Sequence, residues 1–330
     1  MKGKTFMSEE LEAAGINVQY DAHAKRILGS RQVQARILQG AAEEYRGYSA
    51  GEIEAWIEPD IDIAGNPVRP GGGAADRMIT GDNTESTVPG EGTVNYDIRL
   101  QAYYPRKSGT GQVSLMKLLI NVEAQKQFYK KHRIVTRGIF YSARMISEQY
   151  GREFSHSEYE GLKKVYSIWI CMNAPAYVGN AMSEYRITKK DVTGRIPELK
   201  SSYDKLSVVI ICLDGRDAMD SKGSLHGFLG TLLSPDMSVD EKREVLERDY
   251  GMEMEQELGE ELRQMCNLSE AIEERGFSKG YSEGISEGIE GFASLAENLL
   301  KESRLGDLQR AVKDEAFRRQ LFEEYDIVTK

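Results

Sequence analysis

Two segments in which apolar and polar residues alternate, at 94–101 and 118–125, constrain the fold of this chain most strongly. Successive side chains of a β-strand point to opposite faces, so each segment reads as a strand with one apolar face. The first segment places Asp97 on its polar face, and the second places Glu123 and Gln125 together on one face. A short, turn-rich connection permits antiparallel pairing of the two strands, which would bring the carboxylates of Asp97 and Glu123 close together.

Two neighbouring carboxylates of this kind are suited to bind a divalent metal ion. Mg²⁺ prefers oxygen ligands and keeps several waters, so Asp97 and Glu123 can suffice as protein ligands, and Mn²⁺ is the alternative ion. Such an ion polarises a phosphoryl oxygen and orients water for phosphodiester cleavage, while Gln125 would position water or phosphate. The competing interpretation is an ordinary half-exposed hairpin whose polar face carries acids.

The arrangement of these three residues resembles the PD-(D/E)XK nuclease superfamily, especially its transposase-like branch of bacterial recombination-promoting nucleases. The resemblance extends downstream to residues 128–144 and 165–171, and upstream to residues 20–25 and 33–38. It implies an α/β, restriction-endonuclease-like core with a mixed central sheet flanked by helices, followed by a C-terminal helical extension. It also implies a metal-dependent DNA endonuclease linked to recombination, in which the two acids bind the metal.

One position departs from the superfamily pattern, because Gln125 stands where the superfamily usually has lysine. A neutral amide supplies no positive charge, so catalysis would rely more heavily on the metal. An upstream acid often completes such sites, and the candidates here are Glu43, Glu44 and Glu85. For each of the three, a solvated surface position is the alternative.

The segment after the second strand predicts a long helix that reaches about Tyr150. At 100° per residue, Arg133, Arg137 and Arg144 fall within a narrow band, with Tyr141 beside it. Guanidinium groups bind phosphate oxygens bidentately, so this basic face is predicted to hold the DNA backbone. A salt-bridged surface is the alternative. The apolar stripe expected to pack on the sheet consists of Phe128, Val135, Ile139 and Ile146.

The charge of the chain is distributed unevenly. The chain has 43 Lys and Arg and 53 Asp and Glu, a net charge of −10. Residues 236–330 contain 13 basic and 25 acidic residues, so residues 1–235 carry a net charge of +2. We therefore expect DNA contacts to be local and metal-assisted, and to weaken as the salt concentration rises.

The cysteine and hydropathy patterns indicate the cellular compartment in which we expect the protein. Cys171, Cys212 and Cys266 have no metal-ligand spacing, and the four histidines form no zinc signature. Cys171 and Cys212 lie in apolar strand candidates, which predicts buried thiols and a reducing cytoplasm. The N-terminus lacks an apolar signal region, and no apolar run approaches the roughly 18 residues needed to cross a bilayer. The sequence predicts a cytoplasmic protein without a membrane partner.

The chain divides into a core at 1–235, a helical extension at 236–275, a glycine-repeat segment at 276–291 and a terminal helical segment at 292–330. Glycine recurs every four residues in the repeat, which predicts a linker or a conditional helix. A homo-oligomer contact through the C-terminal helices is the alternative. A loop at 59–93, rich in Gly, Pro and Asp, is long enough either to close over a substrate or to be disordered.

These observations favour a Mg²⁺-dependent DNA endonuclease. The alternative class is a catalytically inactive protein that keeps the nuclease fold and binds partners through its acidic helical tail. A nuclease directed at RNA shares the same chemistry, and the sequence does not distinguish the two substrates.

Overall fold

The structure is a computed structural model of the 330-residue chain. It describes residues 6–59, 62–63, 85–88, 92–107, 111–125, 128, 133–214 and 223–327, with the backbone alone at 6–14, 17, 62–63, 85–88, 92–93 and 270–287. Most of the loop predicted at 59–93 lies outside these residues.

Helices precede the sheet. They are α1 (Phe6–Leu28), α2 (Arg31–Ala41), the 3-10 helix η1 (Glu43–Tyr45) and α3 (Ala50–Trp56). Ser49 begins α3 with a capping box, because its side chain accepts from the amide of Glu52 while the Glu52 carboxylate accepts from the amide of Ser49. The apolar residues of α2, Val33, Ile37 and Leu38, are fully buried.

The described residues contain eight strands. They are β1 (Asp62–Ile63), β2 (Glu85–Val88), β3 (Gly92–Asn95), β4 (Ile98–Lys107), β5 (Val113–Gln125), β6 (Lys164–Cys171), β7 (Ala181–Arg186) and β8 (Leu206–Cys212). Six form one sheet in the order β1-β4-β5-β6-β8-β7, and β2 pairs with β3 in a separate hairpin. Strands β5, β6 and β8 run parallel, whereas β1, β4 and β7 are antiparallel to their neighbours. The predicted α/β class with a mixed sheet is confirmed.

The centre of the sheet is apolar on both faces. Every residue of β6 is buried, as are all residues of β8 except its first, which confirms the prediction of two buried central strands. Cys171 and Cys212 are register partners in these strands and are both buried, as predicted. Tyr166 of β6 donates from its hydroxyl to Glu44 of η1, so η1 lies on the face of the sheet to which Tyr166 points.

The other face of the sheet is covered by α4 (Ile134–Ser147), which packs against β6 and β8. Gly138 brings the helix unusually close to the sheet. A Cβ at this position would lie 2.5 Å from Cγ1 of Val208 and 3.0 Å from Nε1 of Trp169. The absence of a side chain at Gly138 therefore sets the position of the helix. Ile134 and Met145 of the same helix are also buried.

The predicted orientation of α4 is correct only in part. Phe128, Val135 and Ile146 of the predicted stripe are partly buried and pack against the core. Ile139, expected in the buried stripe, is 46% exposed, while Ser142 and Arg144 are buried. The helix also begins at Ile134 rather than directly after β5. With Gly138 closest to the sheet, Arg137 and Arg144 of the predicted basic face turn inward and Ile139 turns outward.

The first predicted strand is interrupted. Residues 94–101 belong to two strands, with Tyr96 and Asp97 in a bend between β3 and β4. The predicted alternation still holds for burial, since Tyr96 and Ile98 are fully buried. Asp97 thus lies at the beginning of β4 rather than within a continuous strand.

The remaining helical elements are η2 (Tyr159–Gly161), α5 (Lys200–Tyr203), α6 (Leu225–Leu233), α7 (Val239–Tyr250), α8 (Gln256–Lys301), α9 (Leu305–Lys313) and α10 (Glu315–Glu324). Ser238 and Glu241 form the predicted capping box at the start of α7. Among the described residues, no helix is both long enough and apolar enough to cross a membrane.

The chain forms two compact units, residues 1–268 and 269–330. The predicted core boundary at 235 therefore does not coincide with the observed division, since α6 and α7 belong to the first unit. The backbone of the glycine repeat at 276–291 is helical and part of α8. The second unit has its own small core, formed by Leu295, Leu299, Ala311 and Leu321.

Candidate active site

Asp97 and Glu123 lie side by side at the point where β4 begins. Ile98 pairs with Val122 across the antiparallel β4–β5 ladder, so the next step of the register brings Asp97 opposite Glu123. The amide of Asp97 donates to Oε1 of Glu123 at 3.1 Å, and the amide of Ala124 donates to Oδ2 of Asp97 at 3.0 Å. The structure thus brings together the two acids that the sequence pairs, and backbone groups hold both.

Asn121 is a third oxygen-bearing side chain at this position, and the sequence analysis missed it. It lies two residues before Glu123 on the same face of β5, is fully buried, and donates from Nδ2 to Oε1 of Glu123 at 3.1 Å. Its Oδ1 is buried and has no hydrogen-bond partner among the described residues. The alternation rule that placed Glu123 and Gln125 on one face also applies to Asn121, and that signal could have found it.

The carboxyl group of Glu123 is held in an unfavourable environment for a charge. Its side chain is 5% exposed. Burial and the neighbouring charge of Asp97 raise the pKa of Glu123 to about 8, although the amide of Asp97, the Asn121 amide group and Arg137 act in the opposite direction. A cation bound at this pair would relieve both causes, because it favours the ionised form.

Lys25 supplies a positive charge from the last turn of α1. Its Nζ lies 2.8 Å from Oδ1 of Asp97 and 3.2 Å from Oδ2 of Asp21. Burial lowers the pKa of Lys25, but its interactions with the two aspartates outweigh burial, and the net result is a raised pKa. The i,i+4 spacing of Asp21 and Lys25 indicates only a helix-surface pair in the sequence, so the contact with Asp97 was missed.

Gln125 positions the positively charged side chain of Arg137 beside the acids. Its Oε1 accepts from Nη1 of Arg137 at 3.2 Å, and the guanidinium carbon of Arg137 lies 4.7 Å from the ring centre of Trp169. Gln125 is 7% exposed. The Gln125 amide is therefore bonded to an arginine from α4, which the sequence analysis assigned to DNA binding instead.

The four predicted DNA-binding residues are not arranged as one exposed face. Arg133 is exposed at the N-cap of α4, whereas Arg137 is half-buried. The Tyr141 ring packs between Tyr96 and Trp169, at 5.2 Å and 5.4 Å between ring centres. The remaining residue, Arg144, is 3% exposed, which contradicts its predicted surface position.

Two of the predicted upstream acids lie elsewhere. Glu44 contacts Nζ of Lys164 at 2.8 Å, and Glu43 is ion-paired with two exposed cations. Lys164 pairs in register with Leu118, five residues before Glu123, which is roughly 16 Å at about 3.3 Å per residue. Glu43 and Glu44 are therefore not part of this site. The side chain of Glu85, the third candidate, lies outside the described residues.

The residues present fit a hard divalent cation. Asp97 and Glu123 offer two carboxylates, Asn121 offers an unsatisfied buried oxygen, and Mg²⁺ takes its remaining ligands from water. Among the side chains that the structure describes, no group of three or more His, Cys, Asp or Glu could hold a metal ion. The site is accordingly a two-carboxylate site.

Comparison with known proteins found no matching family model, no similar curated protein and no similar solved structure. The functional argument therefore depends on the geometry of the site.

Proposed function

We propose that the protein is a Mg²⁺-dependent DNA endonuclease with a restriction-endonuclease-like fold, related to the transposase-like branch of the PD-(D/E)XK superfamily and linked to DNA recombination. The observation that carries the proposal is the Asp97–Glu123 pair, which backbone hydrogen bonds hold at the β4–β5 junction beside the unsatisfied oxygen of Asn121. Two carboxylates forced together in this way repel each other unless a cation or a proton is bound.

Asp97 and Glu123 would hold Mg²⁺, or Mn²⁺ in its place, and Asn121 would orient a water in the same coordination sphere. The bound ion supplies Lewis acidity toward the phosphoryl oxygen and lowers the pKa of a water nucleophile. The chain's own residues supply the rest of the site. The β4–β5 register and the two backbone hydrogen bonds hold Asp97 and Glu123 as neighbours.

Two cations flank the acids and would stabilise the charge that develops on the phosphate. Lys25 is held against Asp97, and Arg137 is held by Gln125 and Trp169. Positive groups fixed before the reaction stabilise a developing charge without reorganising. Gln125 is thus a positioning residue for Arg137 in this proposal, and Arg133 is the exposed residue suited to the DNA backbone.

A second candidate is a catalytically inactive protein with the same fold. The Lys25–Asp97 ion pair favours it, because the lysine already compensates one of the two carboxylates. In that case the acidic residues at 236–330 would provide the partner-binding surface. The two candidates differ in whether the Asp97–Glu123 pair binds a divalent cation and cleaves a phosphodiester.

A plasmid-nicking assay with Mg²⁺ or Mn²⁺ tests the proposal. Asp97→Asn and Glu123→Gln should each reduce cleavage at least about 100-fold, because removing a metal ligand costs several kcal/mol of transition-state stabilisation. Glu153→Gln is the matched control, since Glu153 is also an ion-paired carboxylate but pairs with Lys117, six residues from Glu123 along β5. Equal cleavage by all four proteins, or none by the wild type, contradicts the proposal. A single-stranded or duplex RNA substrate distinguishes an RNA nuclease.

A further inference from the structure

A polar cleft lies at the opposite end of the parallel strands from Asp97 and Glu123. Its volume is about 750 Å³, and residues of β4, β5, η2, α5 and the start of β6 line it. Lys164 and Leu118, which are register partners, both line the cleft. Leu118 precedes Glu123 by five positions on β5, and Lys164 precedes Trp169, the register partner of Glu123, by five on β6. The cleft is therefore roughly 16 Å from the acids at about 3.3 Å per residue. This cleft is separate from the candidate active site.

Several of the charged residues in the cleft neutralise one another. Nζ of Lys164 lies 2.8 Å from Oε1 of Glu44 and 2.9 Å from Oδ2 of Asp204, and Glu43 is ion-paired with Lys200. These pairs form one wall of the cleft and leave little net charge there. Lys164 and its two acids are buried, whereas the Lys200–Glu43 pair is partly exposed. A lysine that is already paired with a carboxylate is less available to an anionic ligand.

Three cations of the cleft have a different environment. Arg106, Lys163 and Lys205 form no ion pair with an acid among the described residues. Nζ of Lys205 donates to the carbonyl of Leu162 at 2.6 Å, and Nη2 of Arg106 donates to Oγ of Ser201 at 3.4 Å. Neutral oxygens are therefore the partners of these charges, and each cation keeps donors for another acceptor.

Lys163 and Arg106 both lie close enough to Lys205 for their charges to act on it. Burial lowers the pKa of Lys205, and the charges of Lys163 and Arg106 lower it further, with Asp204 acting more weakly in the opposite direction. Two exposed carboxylates, Glu160 and Glu198, line the cleft as well. A cluster of like charges held together by the fold is stabilised when an anion binds between them.

We propose that Arg106, Lys163 and Lys205 form a binding site for the phosphate group of a nucleotide-sized ligand. A cleft of this volume falls within the usual range for small-molecule sites. Tyr104 and Tyr159 line the same cleft and supply aromatic side chains beside the three cations. The site does not depend on the proposed nuclease activity, since it shares no residue with the Asp97–Glu123 pair.

Isothermal titration calorimetry on the full chain tests the site, with EDTA present so that no divalent cation is available. The probes are inorganic phosphate, AMP, ATP and a short oligodeoxynucleotide with or without a 5′ phosphate. Lys163→Ala and Arg106→Ala should each weaken binding of the tightest probe about tenfold or more, because hydrogen bonds to charged groups contribute roughly 1.5–3 kcal/mol. Lys190→Ala, which removes an exposed lysine that does not line the cleft, is the matched control.

The probes separate the two sources of phosphate. Tighter binding of AMP or ATP than of the oligonucleotides identifies a free nucleotide, and an advantage of the 5′-phosphorylated oligonucleotide identifies a nucleic-acid end. Asp97→Asn should bind inorganic phosphate, AMP and ATP as the wild type does, even if it abolishes cleavage. No binding of any probe at millimolar concentration overturns the proposal, as does equal weakening by Lys190→Ala. Wild-type affinity in both cleft variants overturns it too.

Discussion

The amide of Asp97 donates a hydrogen bond to Oε1 of Glu123, while Asp97 itself accepts one from the amide that follows Glu123. Each acid is therefore tied to the backbone of the other strand. Strand register, rather than side-chain flexibility, sets the separation of the two carboxylates. The fold thus keeps two mutually repelling carboxylates close together, and the first two predictions follow from this arrangement.

The first prediction concerns the pH dependence of stability. The pKa of Glu123 is raised in the folded state, to about 8, so the folded protein binds this proton more tightly than the unfolded chain does. Its stabilising contribution is complete below about pH 4.5 and is lost as the pH rises through about 8. Glu123→Gln should therefore become more stable relative to the wild type between pH 5 and pH 8, by up to a few kcal/mol at about 1.4 kcal/mol per pKa unit.

Urea denaturation at several pH values, with EDTA present, measures this difference. Glu123→Asp keeps a carboxyl group at the same position and is the control, because it should retain most of the pH dependence of the wild type. A stability difference between Glu123→Gln and wild type that stays constant from pH 5 to pH 8 would show that Glu123 is not in this environment.

The second prediction concerns competition between Lys25 and a metal ion. Nζ of Lys25 lies 2.8 Å from Oδ1 of Asp97, so it repels a divalent cation at the same carboxylate. Lys25→Met keeps the aliphatic stem and removes the charge, and it should tighten Mg²⁺ binding about fivefold, which corresponds to about 1 kcal/mol of screened repulsion. Calorimetric titration with Mg²⁺ gives the dissociation constant directly.

Lys25→Arg is the control for this measurement, since it keeps the charge and should bind Mg²⁺ nearly as the wild type does. If Mg²⁺ binding is unchanged or weaker in Lys25→Met, the cation does not bind next to Asp97. Cleavage by Lys25→Met should nevertheless fall, because the positive charge beside the phosphate is lost.

The third prediction separates two arginines of α4. Arg133 is exposed, whereas Arg137 is half-buried against Trp169 and bonded to Gln125. Arg133→Gln should weaken DNA binding and reduce its dependence on salt by about one counterion, while leaving kcat nearly unchanged. Arg137→Gln should reduce kcat about 10- to 100-fold with little change in DNA affinity, since it acts near the acids.

Fluorescence anisotropy with labelled DNA at several salt concentrations, combined with single-turnover cleavage, measures both effects. Arg137→Lys is an informative companion, because a lysine keeps the charge but cannot match the planar contact with Trp169. If Arg133→Gln and Arg137→Gln lose DNA affinity and kcat in the same proportion, the two arginines do not have separate roles in binding and catalysis.

The parts of this site that could be predicted from the sequence are those that local rules determine. Strand alternation gave the shared face of Glu123 and Gln125, and the short connection between two amphipathic segments gave the proximity of Asp97. Burial of β6 and β8 followed from their continuous apolar composition. Each of these features depends on a single strand or on two strands joined by a short connection.

The other parts depend on contacts between distant segments. The buried face of α4 could be predicted only in part, because Gly138 is matched to Val208 and Trp169, which come from two separate strands. The predicted basic face fails at Arg137 for the same reason, since this arginine contacts Gln125 and Trp169 beneath the helix. Lys25 was missed because its contact with Asp97 joins α1 to β4, and nothing in the local sequence distinguishes it from a surface lysine.

The fourth prediction tests the close packing of α4 on the sheet. Gly138→Ala would place a Cβ 2.5 Å from Cγ1 of Val208, so the helix or the strand must move, and overpacking of this kind costs about 1–3 kcal/mol. The intrinsic helix propensity of alanine favours the substitution by about 1 kcal/mol and offsets only part of that cost.

Gly288→Ala is the matched control, because Gly288 is an exposed helical glycine with open space around its Cβ position, and it should stabilise the second unit. Urea denaturation followed by tryptophan fluorescence reports on the first unit and circular dichroism on both. Because Arg137 lies one residue before Gly138, a shifted helix should also lower cleavage, so a Gly138→Ala protein with wild-type stability and activity would contradict the packing described for α4.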